Sequence, residues 1–221
     1  MIKLYHSAGA RSFRALWALE ELCLPYELVM LRPLARAQYP NYLDINPLGT
    51  VPLMLIDGRR MTESAAIPHV LGCRFGPTDL VVDPQEPEYP DYMNFLVMGE
   101  ATLTFPQTIY LRYTRLEPDK DGTAQAATDY ANWFRARLRA AETLMGSGDF
   151  VCAGRFTMAD ITVSYAVQLA NGIGLRDMVS PRMQDYLAAL QQRDGYRRAV
   201  AAQTAAPVIS LADADTELSV R

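Results

Sequence analysis

An acid and a hydroxyl precede a predicted helix in the first half of the chain. Ser64 is a good N-cap for the helix that follows it, and Glu63 stands immediately before that cap. The free amides at a helix N-terminus can bind an anion. The pair therefore suits recognition of a charged ligand group, although the same two residues could serve only as a favourable helix start.

A proline begins the short apolar run that precedes this helix. Pro52 has no amide hydrogen to donate to a neighbouring strand, so the strand predicted at residues 53–56 starts at an edge or an irregularity of its sheet. Asp57-Gly58 then predicts a tight turn into a second strand at residues 59–61. The sequence thus places an antiparallel hairpin directly before the helix.

The elements around the hairpin alternate between strand and helix. Residues 2–6 alternate with a period of two, as a strand does, and residues 12–23 carry apolar side chains at helical spacing. A second strand at 25–31, a loop with a short helix at 32–44 and a helix at 64–75 complete the pattern. The order β-α-β-α-β-β-α predicts one mixed sheet with helices on both faces.

The composition of the chain changes after residue 82. Residues 83–90 contain three prolines and three acids, which disfavours both helix and strand and predicts an interdomain linker. We therefore expect two domains, residues 1–82 and residues 91–221. The helices predicted in the second domain lie at 91–115, 123–145, 158–171 and 181–193, with no strand.

A capping box begins the third of these helices. Thr157 and Asp160 stand three residues apart, so that each side chain can satisfy a free backbone amide at the helix start. The helix behind them is apolar nearly all round, which indicates a central position in the second domain.

These features together resemble the cytosolic, bacterial-type glutathione S-transferase family. The resemblance is carried by Asn46-Pro47-Leu48-Gly49-Thr50-Val51-Pro52, Glu63-Ser64, Lys3-Leu4-Tyr5-His6-Ser7, Arg11-Ser12-Phe13-Arg14 and Leu19-Glu20-Glu21-Leu22. The capping box also matches a motif of the family's helical domain. The resemblance implies a thioredoxin-like α/β N-terminal domain followed by an all-α C-terminal domain, in agreement with the order of elements.

The resemblance also implies that glutathione is the co-substrate. In the family, the residue before the proline pairs its backbone with the cysteinyl part of glutathione beside a cis peptide bond, which implies Val51 and Pro52 here. The acid and serine hold the γ-glutamyl end, which implies Glu63 and Ser64.

One position of the implied glutathione site departs from the family pattern. Relatives often place a lysine before the valine-proline pair to meet the glycine carboxylate of glutathione, whereas this chain has Thr50. Arg36 or Gln38, in the loop after the second strand, could take that role.

The group that stabilises the glutathione thiolate is expected in the turn after the first strand. A free thiol has a pKa of about 8 to 9, and a hydroxyl or cation near a helix N-terminus favours its ionisation. Ser12 has the best position, with Arg11 beside it, whereas Gly9-Ala10 stand where some relatives carry the active hydroxyl. Ser7 and Tyr5 are alternatives. Each candidate has a structural alternative, which is helix capping for Ser12, surface exposure for Arg11, turn capping for Ser7 and packing for Tyr5.

The helix predicted at residues 91–115 is expected to line the electrophile site. Phe105 and Tyr113 are the candidates on it, with Met98, Thr102 and Tyr110 as further apolar and hydroxyl groups. Such a mixture suits an aromatic or otherwise apolar compound. Aromatic and methionine residues at helical spacing also occur in protein cores.

Composition excludes several other classes of function. The chain has 221 residues, 50% hydrophobic and 21% charged, which is enough to bury a sizeable core. Its net charge is -4 and neither half is basic, which argues against nucleic acid as a partner. We found no signal peptide and no membrane-spanning stretch in the sequence, so we expect a cytoplasmic protein that does not bind membranes.

Cysteine and histidine usage predicts neither disulfides nor a metal site. The three cysteines, Cys23, Cys73 and Cys152, form no CxxC, and we expect all three to be reduced and buried. The two histidines, His6 and His69, do not stand at metal-ligand spacing, so we expect no metal.

Three classes of function remain open from the sequence. The first is a transferase that activates the glutathione thiolate for attack on a hydrophobic electrophile, a reaction typical of detoxification. The second is a glutathione-dependent disulfide reductase, and the third is a non-catalytic binding or regulatory protein on the same fold. The family resemblance implies a symmetric homodimer in all three cases.

Overall fold

The computed structural model describes residues 1–39, 41–118 and 122–209. These residues form two compact units. Of these residues, the first unit contains those in the ranges 1–75 and 193–209, and the second contains those in the range 76–192. The boundaries predicted from composition, at residues 82 and 91, fall later than this division.

A four-stranded mixed sheet forms the centre of the first unit. Its strands are β1 (Ile2–His6), β2 (Glu27–Met30), β3 (Leu53–Ile56) and β4 (Arg59–Met61), in the order β2-β1-β3-β4. β1 runs parallel to β2 and antiparallel to β3, and β3 turns back into β4. The predicted crossover and hairpin are therefore confirmed.

The first unit contains more helices than the sequence analysis predicted. α1 (Phe13–Glu21) and α4 (Ala66–Phe75) were predicted, and the one short helix predicted at residues 32–44 is two, α2 (Ala35–Gln38) and α3 (Tyr42–Ile45). α10 (Asp194–Ala205) was not predicted. α1 is buried from residue 13 to residue 19 because it contacts β1, α4 and α10.

Helix α10 is fixed to α1 by charge and by aromatic packing. The guanidinium of Arg193 donates two hydrogen bonds to the carboxylate of Glu21, at 2.8 and 2.9 Å. The ring of Tyr196 packs edge-on against Trp17 and Phe13, with centroids 5.0 and 5.4 Å apart. The first unit is therefore assembled from both ends of the chain.

The second unit contains helices joined by turns, and no strand among its described residues. Its main helices are α5 (Tyr89–Met98), α6 (Phe105–Leu111), α7 (Thr123–Leu144), α8 (Met158–Ile173) and α9 (Pro181–Leu190). The fold predicted from the sequence, a thioredoxin-like α/β domain followed by helices, is confirmed.

The single helix predicted at residues 91–115 is interrupted by π-helical turns. One π-helical segment, Gly99–Thr104, separates α5 from α6, and a second, Arg112–Leu116, follows α6. Pro106 has no amide hydrogen to donate to the preceding turn, so regular α-helical bonding cannot continue through this point. Gly99 lies against α8, where a β-carbon would stand 2.6 Å from the backbone of Thr162.

The predicted capping box at the start of α8 is confirmed. The Asp160 carboxylate accepts hydrogen bonds from the amide of Thr157 at 2.8 Å and from the amide of Val151 at 2.9 Å. The hydroxyl of Tyr186 also donates to it, at 3.0 Å. Asp160 is buried, and burial raises the pKa of its carboxyl to about 6 although these hydrogen bonds favour the ionised form.

The segment predicted as a linker packs on the second unit. Arg155 donates to the carbonyl of Asp79 at 3.1 Å and to the carboxylate of Glu86 at 2.8 Å. α5 begins at Tyr89 with Pro90 in its first turn, where a missing amide hydrogen has no cost. The last two residues of the predicted linker therefore belong to a helix.

The prediction that all three cysteines are buried is wrong for two of them. Cys152 is buried, but Cys23 and Cys73 are exposed. Cys23 follows the end of α1 in a left-handed conformation, with φ of +51°, and this turn lies at the surface. All three are free thiols.

Among the described helices, none is both long and apolar enough to cross a membrane.

Candidate functional site

The turn between β1 and α1 exposes its backbone at a helix start. The amide of Ala10 donates to the carbonyl of Ser7 at 3.1 Å, and the amide of Phe13 donates to the carbonyl of Ala10 at 3.0 Å. Gly9 adopts φ of +73°, a conformation that favours glycine. Ala8 and Gly9 are exposed, so an anionic group can approach this end of α1.

Ser12 is the centre of a buried hydrogen-bond network. Its Oγ lies 2.7 Å from Nδ1 of His6 and accepts a hydrogen bond from the amide of Ser7 at 3.3 Å. The other ring nitrogen of His6, Nε2, lies 3.1 Å from Oε1 of Gln203 on α10. An amide oxygen only accepts hydrogen bonds, so Nε2 carries the hydrogen and Nδ1 accepts one from the Ser12 hydroxyl.

His6 is neutral in this network at neutral pH. Burial lowers the pKa of its imidazole to about 4, although the bond to Gln203 opposes that shift. A neutral ring with a hydrogen on Nε2 keeps Nδ1 available as the acceptor. The Ser12 hydroxyl therefore gives its hydrogen to His6.

The structure contradicts the helix-capping interpretation of Ser12. Ser12 has helical dihedral angles, φ of -60° and ψ of -16°, and its side chain makes no capping hydrogen bond with the first turn of α1. Its hydroxyl contacts His6 of β1 instead. Ser12 is fully buried, whereas Arg11 beside it is half-buried.

Ser7 is a buried serine whose hydroxyl has no hydrogen-bond partner within the described part of the chain. The ladder between β1 and β3 ends at the pair Tyr5 and Leu53, and Ser7 lies two residues beyond Tyr5. Tyr5 itself is buried in the sheet, with its ring 6.0 Å from that of Tyr42. Packing in the sheet therefore explains the aromatic side chain at position 5.

The loop before β3 is held by hydrogen bonds to the carbonyl of Thr50. The side-chain amide of buried Asn46 donates to it at 2.7 Å, and the hydroxyl of Tyr42 donates to it at 2.8 Å. The peptide bond that follows, between Val51 and Pro52, is cis, as predicted. Val51 is half-buried at this bend.

Close packing in this loop also places Arg36. Gly49 adopts φ of +63°, and a β-carbon there would lie 2.7 Å from Cβ of Arg36. Arg36 therefore lies against the loop that carries Val51. Gln38 stands two residues later, at the end of α2. It is exposed, and its side chain makes no hydrogen bond within the described residues.

Helix α1 is joined to the start of α4 through a buried arginine. Nη1 of Arg14 donates to Oγ of Ser64 at 2.9 Å, and both side chains are buried. The carbonyl of Glu63 accepts from the amides of Ala66 and Ile67, and the side chain of Glu63 is exposed. The acid and the serine are thus separated at the turn, with the carboxylate in solvent and the hydroxyl against a guanidinium.

The two residues predicted for the electrophile site lie in the second unit. Phe105 begins α6, is 52% exposed and borders a cavity of about 360 Å³. Tyr113 lies in the second π-helical segment and does not line that cavity. The cavity is lined by Ala101, Thr102, Phe105, Pro106, Tyr130, Trp133 and Arg137.

Several residues of these sites were not identified from the sequence. His6, Arg14 and Gln203 contact the candidate residues through tertiary packing, and no local pattern indicates their partners. Tyr130 and Trp133 stand three positions apart on α7. This helical spacing could have indicated that they share one face of the helix.

Comparison with known proteins identifies a family. Residues 1–71 match the family described as Glutathione S-transferase, N-terminal domain. The chain is 35% identical over 103 residues to Glutathione S-transferase 3 of Schizosaccharomyces pombe, covering 47% of this chain and 43% of that protein. It is 41% identical over 66 residues to Glutathione S-transferase GST-4.5 of Xanthomonas campestris, covering 30% of this chain and 32% of that protein. The alignments span less than half the length of these two relatives.

Solved structures share the fold over almost the whole chain. A glutathione transferase homologue from Sulfitobacter, solved with bound glutathione, superposes with a TM-score of 0.80 at 22% identity, covering 91% of this chain and 98% of the other. The N-terminal match and the shared fold agree with the cis Val51-Pro52 loop and the turn at Glu63-Ser64. Residues 1–71 therefore belong to the glutathione S-transferase N-terminal domain family, and the chain shares its fold with solved glutathione transferases.

Proposed function

We propose that this protein binds glutathione in its first unit and ionises the thiol for attack on a hydrophobic electrophile. In that reaction the thiol proton leaves to solvent, the sulfur bonds to the electrophilic carbon, and the leaving group departs with its bonding electrons. The main support is the buried Ser7 hydroxyl, which has no partner among the described residues and directly follows β1, the strand that pairs with β3 behind the cis Val51-Pro52 bond.

The γ-glutamyl end of glutathione is assigned to Glu63 and Ser64. The exposed Glu63 carboxylate suits the ammonium group. The Ser64 hydroxyl, which accepts a hydrogen bond from Arg14, suits the carboxylate of the ligand. The nearby guanidinium charge favours the same anion.

The rest of the tripeptide is assigned to the loop before β3. The backbone of Val51, beside Pro52, is proposed to pair with the cysteinyl residue, as the family resemblance implies. Arg36 is the better candidate for the glycine carboxylate, because it lies against Gly49 in this loop. Gln38 is the alternative, since it is exposed on the same short helix.

Ser7 is the better candidate for the thiolate donor than Ser12. The Ser12 hydrogen is used by His6, so it cannot also be donated to sulfur. The Ser7 hydroxyl is buried without a partner in the described residues, an arrangement that costs about 1 to 3 kcal/mol unless a ligand supplies an acceptor. Arg11, in the same turn, adds positive charge.

The electrophile is assigned to the helical unit, with Phe105 and Tyr113 as the proposed contacts. The aromatic ring of Phe105 is half exposed, and that of Tyr113 is partly so. We further propose that the protein acts as a symmetric homodimer in the cytoplasm. Static light scattering should then give about twice the chain mass of 24.7 kDa, and a value near the chain mass would contradict the dimer.

Comparing two substrates tests the reaction class. Purified protein with glutathione should turn over an aryl halide, such as 1-chloro-2,4-dinitrobenzene, faster than a small disulfide, such as hydroxyethyl disulfide. The reverse preference would identify a disulfide reductase. Glutathione binding measured by calorimetry, with turnover of neither compound, would identify a binding protein. No glutathione binding at millimolar concentration would overturn the proposal as a whole.

A further inference from the structure

A side chain from the last helix ends the buried hydrogen-bond network of the first unit. Oε1 of Gln203, on α10, lies 3.1 Å from Nε2 of His6, and Nδ1 of His6 lies 2.7 Å from Oγ of Ser12. We propose that Gln203 is a positioning residue, which selects the tautomer of His6 and so commits the Ser12 hydrogen to that ring. The Ser7 hydroxyl is then left as the donor to a bound thiolate. This last step rests on the proposed function, whereas the tautomer does not depend on glutathione.

Helix α10 is held against α1 near its start, which fixes where Gln203 lies. Gly195 permits the close approach of the two helices, because a β-carbon there would stand 2.5 Å from Cδ of Glu21. Nε of Arg198 donates to the carboxylate of Glu20, at the end of α1, at 3.1 Å. The backbone that carries Gln203 is therefore positioned by the packing of a whole helix.

The tautomer of His6 depends on the group that meets its Nε2. An acceptor at this position requires the hydrogen on Nε2 and leaves Nδ1 as an acceptor, whereas a donor requires the opposite. The side-chain oxygen of Gln203 is the acceptor that meets Nε2. Because His6 is fully buried, a ring nitrogen left without its partner would be costly. The identity of residue 203 should therefore decide the tautomer.

The Ser12 hydroxyl has two acceptors within reach, and the His6 tautomer decides between them. Nδ1 of His6 lies 2.7 Å from it and the carbonyl oxygen of Ser7 lies 3.4 Å from it. With the His6 hydrogen on Nε2, Ser12 donates along the shorter contact and accepts from the Ser7 amide. With that hydrogen on Nδ1, Ser12 would accept from both groups. Its own hydrogen would then be released to the Ser7 carbonyl or to a bound sulfur.

Nuclear magnetic resonance of the ligand-free protein tests the first step. Long-range proton–nitrogen correlation spectra distinguish the two neutral tautomers of an imidazole. Burial lowers the pKa of His6 to about 4, so its ring is neutral at neutral pH, and His69→Gln assigns the signals of the two histidines. We expect the hydrogen on Nε2 of His6. A hydrogen on Nδ1 would overturn the proposal, because the Gln203 side chain would then be the donor.

Three variants of α10 test whether residue 203 selects the tautomer. Gln203→Lys replaces the acceptor with a donor and should move the His6 hydrogen from Nε2 to Nδ1. Gln203→Glu keeps the length and an acceptor, so it should retain the wild-type tautomer. Thr204→Lys adds the same charge at the next position, where the residue is exposed and its hydroxyl donates to the carbonyl of Val200. It should leave the tautomer unchanged.

Ultraviolet titration of bound glutathione tests the second step. Ser12→Ala should have little effect on the pKa of the bound thiol in the wild type. In the Gln203→Lys background it should raise that pKa by about one unit, because the released Ser12 hydroxyl can donate to sulfur. In the Gln203→Glu and Thr204→Lys backgrounds the effect should stay small. Each comparison is made within one background, so the added charge cancels.

Two further results would overturn the proposal. One is an unchanged His6 tautomer in folded Gln203→Lys, and the other is an equal effect of Ser12→Ala in the Gln203→Lys and Thr204→Lys backgrounds. If Gln203→Lys does not fold, the wild-type spectrum and that of Gln203→Glu decide, since both must show the hydrogen on Nε2. Absence of glutathione binding would contradict the proposed function, and the spectra would still decide whether Gln203 selects the tautomer.

Discussion

Two serines in one turn differ because only one of their hydroxyls has an acceptor among the described residues. The Ser12 hydroxyl donates to His6, whose ring is held by Gln203 through its other nitrogen. Ser12 in turn accepts from the amide of Ser7, and so fixes the backbone that carries the second hydroxyl. The Ser7 hydroxyl has no acceptor in the described chain. A bound thiolate would supply that acceptor.

The first prediction separates these two serines by the ionisation of bound glutathione. Ser7→Ala should raise the pKa of the bound thiol by about one unit or more, because a hydroxyl that donates to sulfur stabilises only the ionised form. Affinity for glutathione at low pH should change little. Ultraviolet titration of the thiolate in the complex measures the pKa.

Ser12→Ala is the matched variant for this prediction. It should lower the free energy of unfolding by about 1 to 3 kcal/mol, because it leaves buried His6 and the amide of Ser7 without a partner. Its bound thiol should ionise closer to the wild-type pKa than that of Ser7→Ala. A larger pKa increase in Ser12→Ala than in Ser7→Ala would return the donor role to Ser12.

The second prediction concerns the γ-glutamyl end of the ligand. Glu63→Ala and Ser64→Ala should each weaken glutathione binding by about 1 to 3 kcal/mol, because each removes a charge-assisted hydrogen bond. Calorimetric titration measures the effect. Glu88→Ala is the control, since Glu88 is exposed and makes no side-chain hydrogen bond or ion pair within the described residues. Equal effects at Glu63 and Glu88 would contradict the assignment.

At the residue scale, the sequence predicted the features that depend on short local motifs. The cis bond at Pro52 and the capping box at Asp160 depend on short sequence patterns, and both are present. The partners of Ser12 could not be predicted, because Gln203 stands 197 positions after His6 and meets it only through the packing of α10. Capping was the structural alternative for Ser12, and the contact of its hydroxyl with His6 of β1 replaces it.

At the scale of elements, the π-helical segment after α5 is the main departure from the sequence-based prediction. Apolar spacing predicted one continuous helix over residues 91–115, because a π-helical turn alters the register by a single residue and leaves the pattern nearly intact. Pro106 was the available signal for a break. Phe105, directly after the break, lines the cavity.

The third prediction tests the contact that holds this segment on α8. Gly99→Ala should lower the free energy of unfolding by about 1 to 3 kcal/mol, because the new β-carbon would meet backbone and side-chain atoms of Thr162 at 2.6 Å. Urea denaturation measures the change. Gly172→Ala, within α8, is the control because a β-carbon there meets nothing within 4 Å. It should be neutral or stabilise by about 0.5 to 1 kcal/mol, as alanine favours a helix interior.

An equal loss of stability in the two alanine variants would contradict this account of Gly99. It would mean that a general change in helix propensity, and not the close approach to Thr162, decides the effect.

At the scale of the whole molecule, the last helix is the part that sequence reasoning could not place. Composition indicated a break after residue 82 and helices beyond it, and the chain after residue 90 was assigned to one domain. The structure returns the chain from residue 193 to the first unit, through Arg193 on Glu21 and Tyr196 on Trp17. An arginine and a tyrosine give no local indication of partners that lie so far away in the sequence.

Two buried titratable groups, one in each unit, make opposite contributions to acid stability. The His6 pKa is lowered from 6.5 to about 4, so the unfolded chain binds more protons than the folded chain between these pH values. Stability from His6 is therefore present above pH 6.5 and is lost as the pH falls toward 4. The Asp160 pKa is raised from 3.8 to about 6, so its contribution is present at low pH and is lost as the pH rises toward 6.

The fourth prediction follows from these opposite signs. Each shift corresponds to about 3 kcal/mol at its full extent, so the two contributions largely offset each other in the wild type between pH 4 and 6.5. Asp160→Asn should make the protein lose stability more steeply in acid, because the His6 contribution is then unopposed. His6→Asn should have the reverse effect, with relative stability increasing as the pH falls. Urea denaturation at a series of pH values measures each slope.

Differences between pH profiles decide this prediction, because each substitution also removes hydrogen bonds at every pH. Loss of the bonds to Ser12 and Gln203, or of the bonds around Asp160, shifts a whole profile without changing its slope. If the two units unfold in separate transitions, His6→Asn should alter the slope of one and Asp160→Asn the slope of the other. Profiles parallel to the wild type for both variants would show that neither buried group governs the response to acid.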